Sequence, residues 1–260
     1  MGVVLSQERG SILHLTLNRP AKYNALSGEV LIQLRQGLER VITEPALRVL
    51  LITANGDYFC AGADLSEAFE IGGSSSAIRT EYRRGLHGML SLYQEMEEIE
   101  KPVVVAHQGP CVGGGLELSL SCDFRLSAAR ATYSFPEGNF GSLPATGGVS
   151  RLTRLVGAHW ARWLIMANKP IDAERALAIG LVHEVYPNET FEASVFSFCE
   201  HLAAQPPEFL AMSKLAIDLA ADLESAQARR LERLANSTLA TGEEYRNLFN
   251  QWATRFRKPK

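Results

Sequence analysis

The stretch Gly113-Gly114-Gly115-Leu116-Glu117-Leu118 decides the fold prediction, because its glycines separate a short apolar strand, predicted at 103–106, from an apolar helix that ends near Ser121. Ligand sites in α/β sheets gather at the carboxyl ends of strands. The first N–H groups of a helix have no internal partner, and glycine lets the backbone approach a ligand closely. The stretch therefore predicts an α/β protein whose main-chain N–H groups can bind an oxygen atom of a ligand.

Strands and helices alternate on both sides of this stretch. The segments predicted from this pattern are strands at 12–17, 49–53 and 124–126 and helices at 27–42 and 79–99. The run Gly72 to Ser76 is predicted to be mobile because it holds only glycine and serine. From Gly148 onward the chain is predicted to be mostly helical, with one strand near 182–185 and helical periodicity over 191–256. The predicted architecture is an α/β core, residues 1–195, followed by a helical portion, residues 196–260.

The composition indicates an ordinary globular protein. Its 260 residues are 46% hydrophobic and 21% charged, and the net charge of -3 gives no general attraction to nucleic acid or anionic membranes. No apolar run approaches the ~20 residues that span a bilayer, and the N-terminus has no secretory pattern. We therefore expect no nucleic-acid partner, no membrane association and a cytoplasmic location.

The cysteine and histidine spacings predict neither a metal site nor disulfides. The four cysteines form no CxxC pair and the six histidines form no HxxxH pair, so we expect reduced thiols and no metal. The sequence also lacks a GxxxxGK[ST] phosphate loop, and the triglycine does not complete GxGxxG. We expect no dinucleotide or other cofactor.

Two glutamates, Glu117 and Glu137, lie in apolar surroundings. Glu117 lies between two leucines, and Glu137 follows Pro136 near Phe140. A lone glutamate on a helix is usually solvated or ion-paired, but burial among apolar side chains raises a carboxyl pKa and requires a partner or a role. Two carboxyl groups that face one small volume can hold a water molecule and transfer its protons near neutral pH.

A second loop of small residues, Phe59-Cys60-Ala61-Gly62-Ala63-Asp64, follows the strand predicted at 49–53. One N–H group from this loop and one from the triglycine can bind the same carbonyl oxygen. If that oxygen becomes an enolate, each donor supplies roughly 2.7–4 kcal/mol. Close packing of a helix on a strand is the structural alternative for the triglycine alone.

The run Gly109-Pro110-Cys111-Val112-Gly113 also matches a nucleophile elbow with cysteine in place of serine. A hydrolase of this type needs a downstream acid and histidine, and His159, His183 and His201 are available. The elbow leaves the triglycine and Glu117 without a role, so small apolar packing is the favoured interpretation of Cys111.

Taken together, these residues resemble the enoyl-CoA hydratase/isomerase family, the crotonase superfamily, from about Leu13 to the C-terminal helix. The motifs that carry the resemblance are Asn18-Arg19-Pro20, Asn24-Ala25-Leu26, Phe59-Cys60-Ala61-Gly62-Ala63-Asp64, Lys101-Pro102-Val103, Gly113-Gly114-Gly115-Leu116-Glu117-Leu118, Cys122-Asp123, Pro136-Glu137, Gly147-Gly148 and Arg151-Leu152-Thr153-Arg154-Leu155-Val156-Gly157.

The resemblance implies a crotonase-like spiral of ββα units with the acyl-CoA site, followed by a helical trimerisation region. It further implies a homotrimer, or a hexamer made of two trimers. The implied reaction is syn addition of water to a trans-2-enoyl-CoA, which gives a 3-hydroxyacyl-CoA. No cofactor is implied, since coenzyme A is part of the substrate.

The resemblance also assigns roles to individual residues. Glu117 is the implied base toward water, Glu137 is the implied acid toward C2, and the N–H groups of Ala61 and Gly114 form the implied oxyanion hole. The implied substrate-binding positions are Lys22, Tyr23, Ala25, Gly62, Ala63, Asp64, Leu65, Gly113, Pro136 and Ala145.

Several of these positions have a more specific expectation. Lys22, Tyr23 and Ala25 correspond to the adenine end of coenzyme A, and Ala145 stands where hydratases commonly have glycine. Residues 65–90 are expected to border the acyl pocket. Two candidates for a contact from a neighbouring subunit are Trp252 and Lys258.

Other functions remain possible at this stage. A Δ3-Δ2-enoyl-CoA isomerase, or another acyl-CoA lyase or dehydratase, uses the same scaffold, but isomerisation needs only one carboxyl group. A binding protein that has lost catalysis is a different class. RNA binding is disfavoured by the acidic balance and by the lack of a lysine-rich stripe.

Overall fold

Nine strands and ten α-helices are found in the computed structural model, which describes residues 2–68 and 74–254. The strands are β1 (Val4–Arg9), β2 (Ile12–Leu17), β3 (Val49–Ala54), β4 (Val103–His107), β5 (Cys111–Val112), β6 (Phe124–Ala128), β7 (Thr132–Ser134), β8 (Ile171–Asp172) and β9 (Glu184–Tyr186). The helices are α1 (Gly28–Thr43), α2 (Leu65–Ala68), α3 (Ser75–Glu98), α4 (Gly114–Leu120), α5 (Gly148–Ala161), α6 (Ala173–Ala178), α7 (Phe191–Ala203), α8 (Pro207–Ala220), α9 (Ser225–Thr241) and α10 (Glu243–Thr254).

The larger sheet has the strand order β1-β2-β3-β4-β6-β9. β1 and β2 pair antiparallel, and the pairs from β2 to β9 are parallel. All five residues of β4 are buried, as are the first four of β3, because both strands carry apolar side chains on both faces. The α/β class predicted from the alternating pattern is confirmed.

A second layer contains short strands that the sequence pattern does not reveal. β5 pairs with β7, and β7 with β8, while single-residue bridges join Leu26 to Ala63 and Cys60 to Cys111. Each strand of the larger sheet from β2 to β6 is thus followed by a shorter extended segment and then by a helix. This recurring order is the ββα unit that the resemblance implies.

Helix α1 shows how closely the local sequence specifies a helix start. The Ser27 hydroxyl accepts a hydrogen bond from the Val30 N–H at 3.4 Å, which caps the helix predicted at 27–42. Val30, Leu34 and Leu38 are buried, so the apolar stripe faces the core. The prediction of the helix is confirmed, and Leu31, next to this stripe, is only partly buried.

The helix predicted at 79–99 begins earlier than expected, at Ser75. The Ser74 hydroxyl accepts a hydrogen bond from the Ala77 N–H at 3.3 Å and caps α3. Ser75 and Ser76 thus lie in the first turn of α3, while Gly72 and Gly73 lie outside the described residues, and the mobility of the run at 72–76 stays a prediction. The strand expected near 182–185 is β9, which begins two residues later.

The chain divides into two compact units, Met1–Ala203 and Ala204–Lys260. The first contains both sheets and ends with α7. The second consists of α8, α9 and α10, which agrees with the helical periodicity over this part of the sequence. The predicted functional division at 195/196 falls within α7 and stays a prediction. None of the helices in the described ranges is both long and apolar enough to span a bilayer.

Candidate active site

The N-terminus of α4 places an outward-facing N–H group beside the loop that follows β3. Gly113 has φ +52, and its carbonyl oxygen accepts hydrogen bonds from the N–H groups of Leu116 (2.8 Å) and Glu117 (3.0 Å). The Gly114 N–H belongs to the same peptide group as that carbonyl and has no acceptor among the described residues. Two hydrogen bonds to the carbonyl polarise the peptide group and make its N–H a stronger donor.

A second N–H group, that of Ala63, lies close to the Gly114 N–H. Leu26 donates to the Gly62 carbonyl at 2.8 Å and accepts from the Asp64 N–H at 3.0 Å, so the Ala63 N–H faces away from Leu26. A Cβ atom placed on Gly114 would lie 3.2 Å from the Ala63 nitrogen. The described residues offer no acceptor to the Ala63 N–H either, and the two donors therefore form a site for one oxygen atom.

The prediction that Ala61 supplies an oxyanion donor is wrong. Its N–H donates to the Tyr23 carbonyl at 2.9 Å and is not available to a ligand. The correct loop was chosen, but the donor lies two residues further along the chain, at Ala63. No sequence pattern indicates this choice, because a single-residue bridge has no periodicity that would show which N–H groups face the ligand.

Glu117 is held on the first turn of α4 and is only 4% exposed. Its Oε1 atom accepts hydrogen bonds from the N–H groups of Thr146 (2.7 Å) and Gly148 (3.0 Å). Burial raises the pKa of Glu117, while these hydrogen bonds and the positive charge of Arg151 oppose the rise. The net effect is a raised pKa, and the hydrogen bonds with the charge of Arg151 favour the ionised form against the effect of burial.

Glu137 lies in a 3₁₀ turn, Pro136–Phe140, and is half-buried. Its Oε2 atom is buried and has no hydrogen-bond partner among the described residues. A Cβ atom on Gly113 would lie 2.7 Å from Glu137 Oε1, so this carboxyl group also lies at the N-terminus of α4. Burial, with a smaller contribution from the charge of Glu117, raises the pKa of Glu137 to about 7.

The two carboxyl groups therefore differ in the protonation state that they favour. Glu117 is stabilised as a carboxylate by two N–H groups, whereas a hydrogen bond from its own backbone only partly offsets the effect of burial on Glu137, whose pKa is raised to about 7. A pair of acids whose surroundings separate their proton affinities can act as one base and one acid. The charge of Glu117 acts on Glu137, and both carboxyl groups lie beside α4, while their convergence on one small volume stays a prediction.

The residues expected at the adenine end lie together on the protein surface. Lys22 and Tyr23 are exposed, and the Tyr23 ring lies 4.8 Å from the ring of Tyr58. The Ala25 carbonyl accepts from Arg19 at 2.6 Å, so this residue fixes the loop through its backbone. Their contact with coenzyme A stays a prediction.

Asp64 has a structural partner. Its carboxylate accepts hydrogen bonds from Ser66 and from Arg19, the latter at 2.8 Å, and these bonds lower its pKa. Asp64 therefore fixes the Ala63 loop with its side chain. Leu65 is exposed directly after it, at the start of α2.

The remaining expected positions border the two carboxyl groups. Pro136 begins the turn that carries Glu137, and Ala145 precedes the Thr146 N–H that binds Glu117. Ala145 is exposed. Trp252, on α10, is exposed, and Lys258 lies outside the described residues.

Cys111 does not form a nucleophile elbow. It is fully buried in β5, and burial, with smaller contributions from Cys60 and Cys122, raises the pKa of its thiol far above the usual value. The turn into the helix occurs at Gly113. No group of three or more His, Cys, Asp or Glu side chains within residues 2–68 and 74–254 is arranged to bind a metal ion.

No role is predicted from the sequence for three residues near the site. Gly148 and Arg151 appear there only within family motifs, and Tyr93 does not appear. Gly148 donates to Glu117, Arg151 contacts the turn that contains these donors, and Tyr93 donates from its hydroxyl to the Gly114 carbonyl at 3.0 Å. The contacts of Gly148 and Tyr93 join segments distant in sequence, and the contact of Arg151 depends on the shape of the turn, so no local sequence pattern indicates them.

Comparison with known proteins places the chain in a family. A family model described as enoyl-CoA hydratase/isomerase matches residues 7–253. An enoyl-CoA isomerase/hydratase from Mycosarcoma maydis is 34% identical and covers 98% of this chain and 93% of its own length. The 2,3-dehydroadipyl-CoA hydratase of Escherichia coli is 32% identical over 91% of this chain and 90% of its own.

Solved structures agree with the sequence relatives. An enoyl-CoA hydratase from Bacillus anthracis superposes with a TM-score of 0.91 at 28% identity, covering 99% of this chain and 98% of that chain. An enoyl-CoA hydratase from Thermoplasma volcanium gives a TM-score of 0.89 at 30% identity, with 99% and 98% covered. On the match over nearly its whole length, together with the carboxyl pair at the glycine-rich helix start, the chain belongs to the enoyl-CoA hydratase/isomerase family.

Proposed function

We propose that this protein is an enoyl-CoA hydratase that adds water in syn fashion to a trans-2-enoyl-CoA. The observation that carries the proposal is the carboxyl pair, with Glu117 held as a carboxylate and the pKa of Glu137 raised to about 7. Addition of water requires a base and an acid at the same time, and this pair supplies both at neutral pH. Relatives named short-chain-enoyl-CoA hydratase and crotonyl-CoA hydratase, at 31% and 33% identity, support it.

The thioester oxygen of the substrate binds the N–H groups of Ala63 and Gly114. Negative charge develops on that oxygen as water adds to C3, and each donor is worth roughly 2.7–4 kcal/mol in the transition state. Because the donors are main-chain groups in loops fixed by Leu26 and by α4, they require little reorganisation during the reaction.

Proton transfer then completes the addition. Glu117 removes a proton from water while the water oxygen bonds to C3, and protonated Glu137 gives a proton to C2. The C2–C3 double bond becomes a single bond, Glu117 ends protonated and Glu137 ends ionised. Exchange of one proton with solvent restores both groups for the next turnover.

Double-bond isomerisation is the second candidate, favoured by the printed name of the Mycosarcoma maydis relative, enoyl-CoA isomerase/hydratase. It shuttles one proton between C2 and C4 and needs only one carboxyl group. Glu137, with its buried and unpartnered Oε2, is the group suited to this role. Hydration remains the proposal because Glu117 is also retained and is held by two N–H groups.

Loss of the conjugated thioester absorbance of crotonyl-CoA tests the proposal. We expect rapid hydration by the wild-type protein and a loss of at least ~100-fold in kcat for Glu137→Gln, on the scale of general acid–base catalysis. A 3-enoyl-CoA offered in a parallel assay measures isomerisation. Absence of crotonyl-CoA hydration, with turnover of the 3-enoyl-CoA, would replace hydratase by isomerase.

We also infer a homotrimer, or a hexamer made of two trimers. Its support is the C-terminal unit, where large apolar side chains are exposed on three helices, among them Ile217 (69%), Leu234 (67%) and Trp252 (57%). Coenzyme A as part of the substrate, no nucleic-acid partner and a cytoplasmic location are parts of the same proposal, and four buried free thiols are compatible with a reducing compartment. Light scattering of the purified protein tests the assembly, and a monomer at micromolar concentration would contradict it.

A further inference from the structure

We propose that Arg151 is a positioning residue for hydration: anchored by Glu97, it holds the turn formed by residues 146–148 so that the N–H groups of this turn fix the Glu117 carboxylate. The inference rests on the proposed function, because it explains how the proposed base is oriented. It concerns a side chain on α5 that does not contact the reacting atoms.

Arg151 forms a bidentate ion pair with Glu97 across the space between α5 and α3. Its Nε and Nη2 atoms donate to the two carboxylate oxygens of Glu97, both at 2.6 Å. The Arg151 side chain is only 14% exposed. Two parallel hydrogen bonds of this kind fix the plane of the guanidinium as well as its position.

The remaining terminal nitrogen of Arg151 binds the 146–148 turn. Nη1 donates to the Thr146 carbonyl at 2.8 Å. That carbonyl lies in the chain between the Thr146 and Gly148 N–H groups, both of which bind Glu117 Oε1. A single donor at this carbonyl therefore restrains the peptide groups on both sides, and through them the carboxylate.

The absence of a side chain at Gly147 leaves room for the Arg151 guanidinium. It has φ +99, and a Cβ atom there would lie 1.9 Å from Arg151 Nη1. Any other residue would therefore displace Arg151 from the Thr146 carbonyl. The Gly147-Gly148 motif is explained by two close approaches, one to the arginine and one to Glu117 Oε1, 2.8 Å from a Cβ placed on Gly148.

Arg151 also acts through its charge. The groups that face Glu117 are Tyr93 from α3, Glu137 from its 3₁₀ turn and Arg151 from α5. Burial raises the pKa of Glu117, and the positive charge of Arg151 is among the effects that lower it. Removal of that charge is expected to raise the pKa further, so that the base is ionised only at higher pH.

A purely structural role makes a different prediction. An ion pair that only joins α3 to α5 would lower the melting temperature when broken, and would leave the pH profile and the exchange of the Thr146 and Gly148 amides unchanged. The test therefore needs readouts that report on Glu117 and on the turn.

The variants are Arg151→Gln, Arg151→Lys and Glu97→Gln, with Arg154→Gln as the matched control. Arg154 lies one turn further along α5 and is exposed, so its replacement removes the same charge from the same helix. Each full-length variant is assayed for crotonyl-CoA hydration as a function of pH. Amide hydrogen exchange over residues 141–150 is measured by mass spectrometry on the same samples.

We expect Arg151→Gln to lower kcat by about 10–100-fold with little change in KM, because a small displacement of a catalytic group has an effect of this size. The acidic limb of its pH profile should move to higher pH, and exchange of the turn should accelerate. Arg151→Lys keeps the positive charge but loses the bidentate guanidinium. Its acidic limb should therefore match that of the wild type, while its kcat should stay low and amide exchange in the turn should stay fast. Glu97→Gln should accelerate exchange, and Arg154→Gln should match wild type throughout.

Wild-type exchange and an unmoved acidic limb in Arg151→Gln would overturn the inference. If Arg151→Gln fails to fold, amide exchange and kcat are measured in Arg151→Lys and Glu97→Gln instead. Wild-type values of both quantities in both variants would overturn the inference. Failure of the wild-type protein to hydrate crotonyl-CoA would instead refute the proposed function, while the exchange experiment would still report whether Arg151 holds the turn.

Discussion

Glu137 carries a carboxyl group whose pKa is raised to about 7, by burial first and then by the negative charge of Glu117. The interaction between these two residues is the central electrostatic feature of the site. Ionised Glu117 disfavours loss of the Glu137 proton, so the pKa of Glu137 depends in part on the charge of Glu117.

The pH dependence of hydration follows from this relationship. We expect kcat/KM to be bell-shaped, because Glu117 must be ionised and Glu137 must be protonated. The alkaline limb should fall near pH 7, where Glu137 loses its proton. Initial rates with crotonyl-CoA from pH 4 to about 10 provide the measurement. A rate that stays level through this range would show that neither carboxyl group titrates in the free enzyme.

The free energy of unfolding should also depend on pH, because burial of Glu137 destabilises the folded protein once this carboxyl group is ionised. The pKa of Glu137 rises from 4.5 to about 7 on folding, so the folded state binds more protons than the unfolded state between these values and loses stability as pH rises through them. Glu137→Gln should therefore stabilise the protein at pH 8, by roughly 1–2 kcal/mol because the carboxyl group is only half-buried, and should have little effect at pH 4. Urea unfolding at the two pH values measures the difference, and an equal effect at both would contradict the explanation.

Gly114→Ala should remove activity without unfolding the protein. The new methyl group would lie 3.2 Å from the Ala63 nitrogen and 3.2 Å from the flexible end of Met89, so it occupies the place of the substrate oxygen. We expect a loss of at least ~100-fold in kcat/KM, the scale for an oxyanion donor. Gly88→Ala is the control, since a methyl group there meets no atom within 4 Å and also lies in a helix. Equal activity of the two variants would place the oxygen elsewhere.

Cys111→Ala should keep most of the hydratase activity. The thiol is fully buried and its pKa is raised by burial, so it is not a nucleophile. Removal of the sulfur from a packed strand should destabilise the protein by about 1–2 kcal/mol. Thermal unfolding and the crotonyl-CoA assay separate these effects. Loss of activity in a folded Cys111→Ala protein would reopen the elbow interpretation.

Much of the fold could be predicted because its signals are local. The cap at Ser27 and the buried strands β3 and β4 are recorded in the residues that form them. The bridges at Leu26–Ala63 and Cys60–Cys111 are one residue long and depend on strands that are far apart in the sequence. For this reason the second layer of the ββα units could not be predicted from periodicity.

The residues of the candidate site likewise include some that local sequence predicts and others that depend on tertiary contacts. Glu117 and Glu137 could be predicted because a carboxyl group among apolar neighbours is unusual and requires a role. The choice between the N–H groups of Ala61 and Ala63 could not, since it depends on which of them Tyr23 already occupies. Arg151 was quoted as part of a motif, but its effect on Glu117 passes through a turn whose shape is set by tertiary contacts.

The donors at Ala63 and Gly114 belong to the polypeptide chain itself, and this has a consequence for how the protein tolerates change. Exchanging the Ala63 side chain for serine leaves its amide in place, so side-chain substitution at Ala63 is expected to spare this donor of the proposed oxyanion hole, unlike a methyl group added at Gly114. Proline at that position, or chemical replacement of the amide by an ester, is the kind of alteration that reaches it. We therefore expect homologous proteins to vary at this position in residue type while keeping the same main-chain donor.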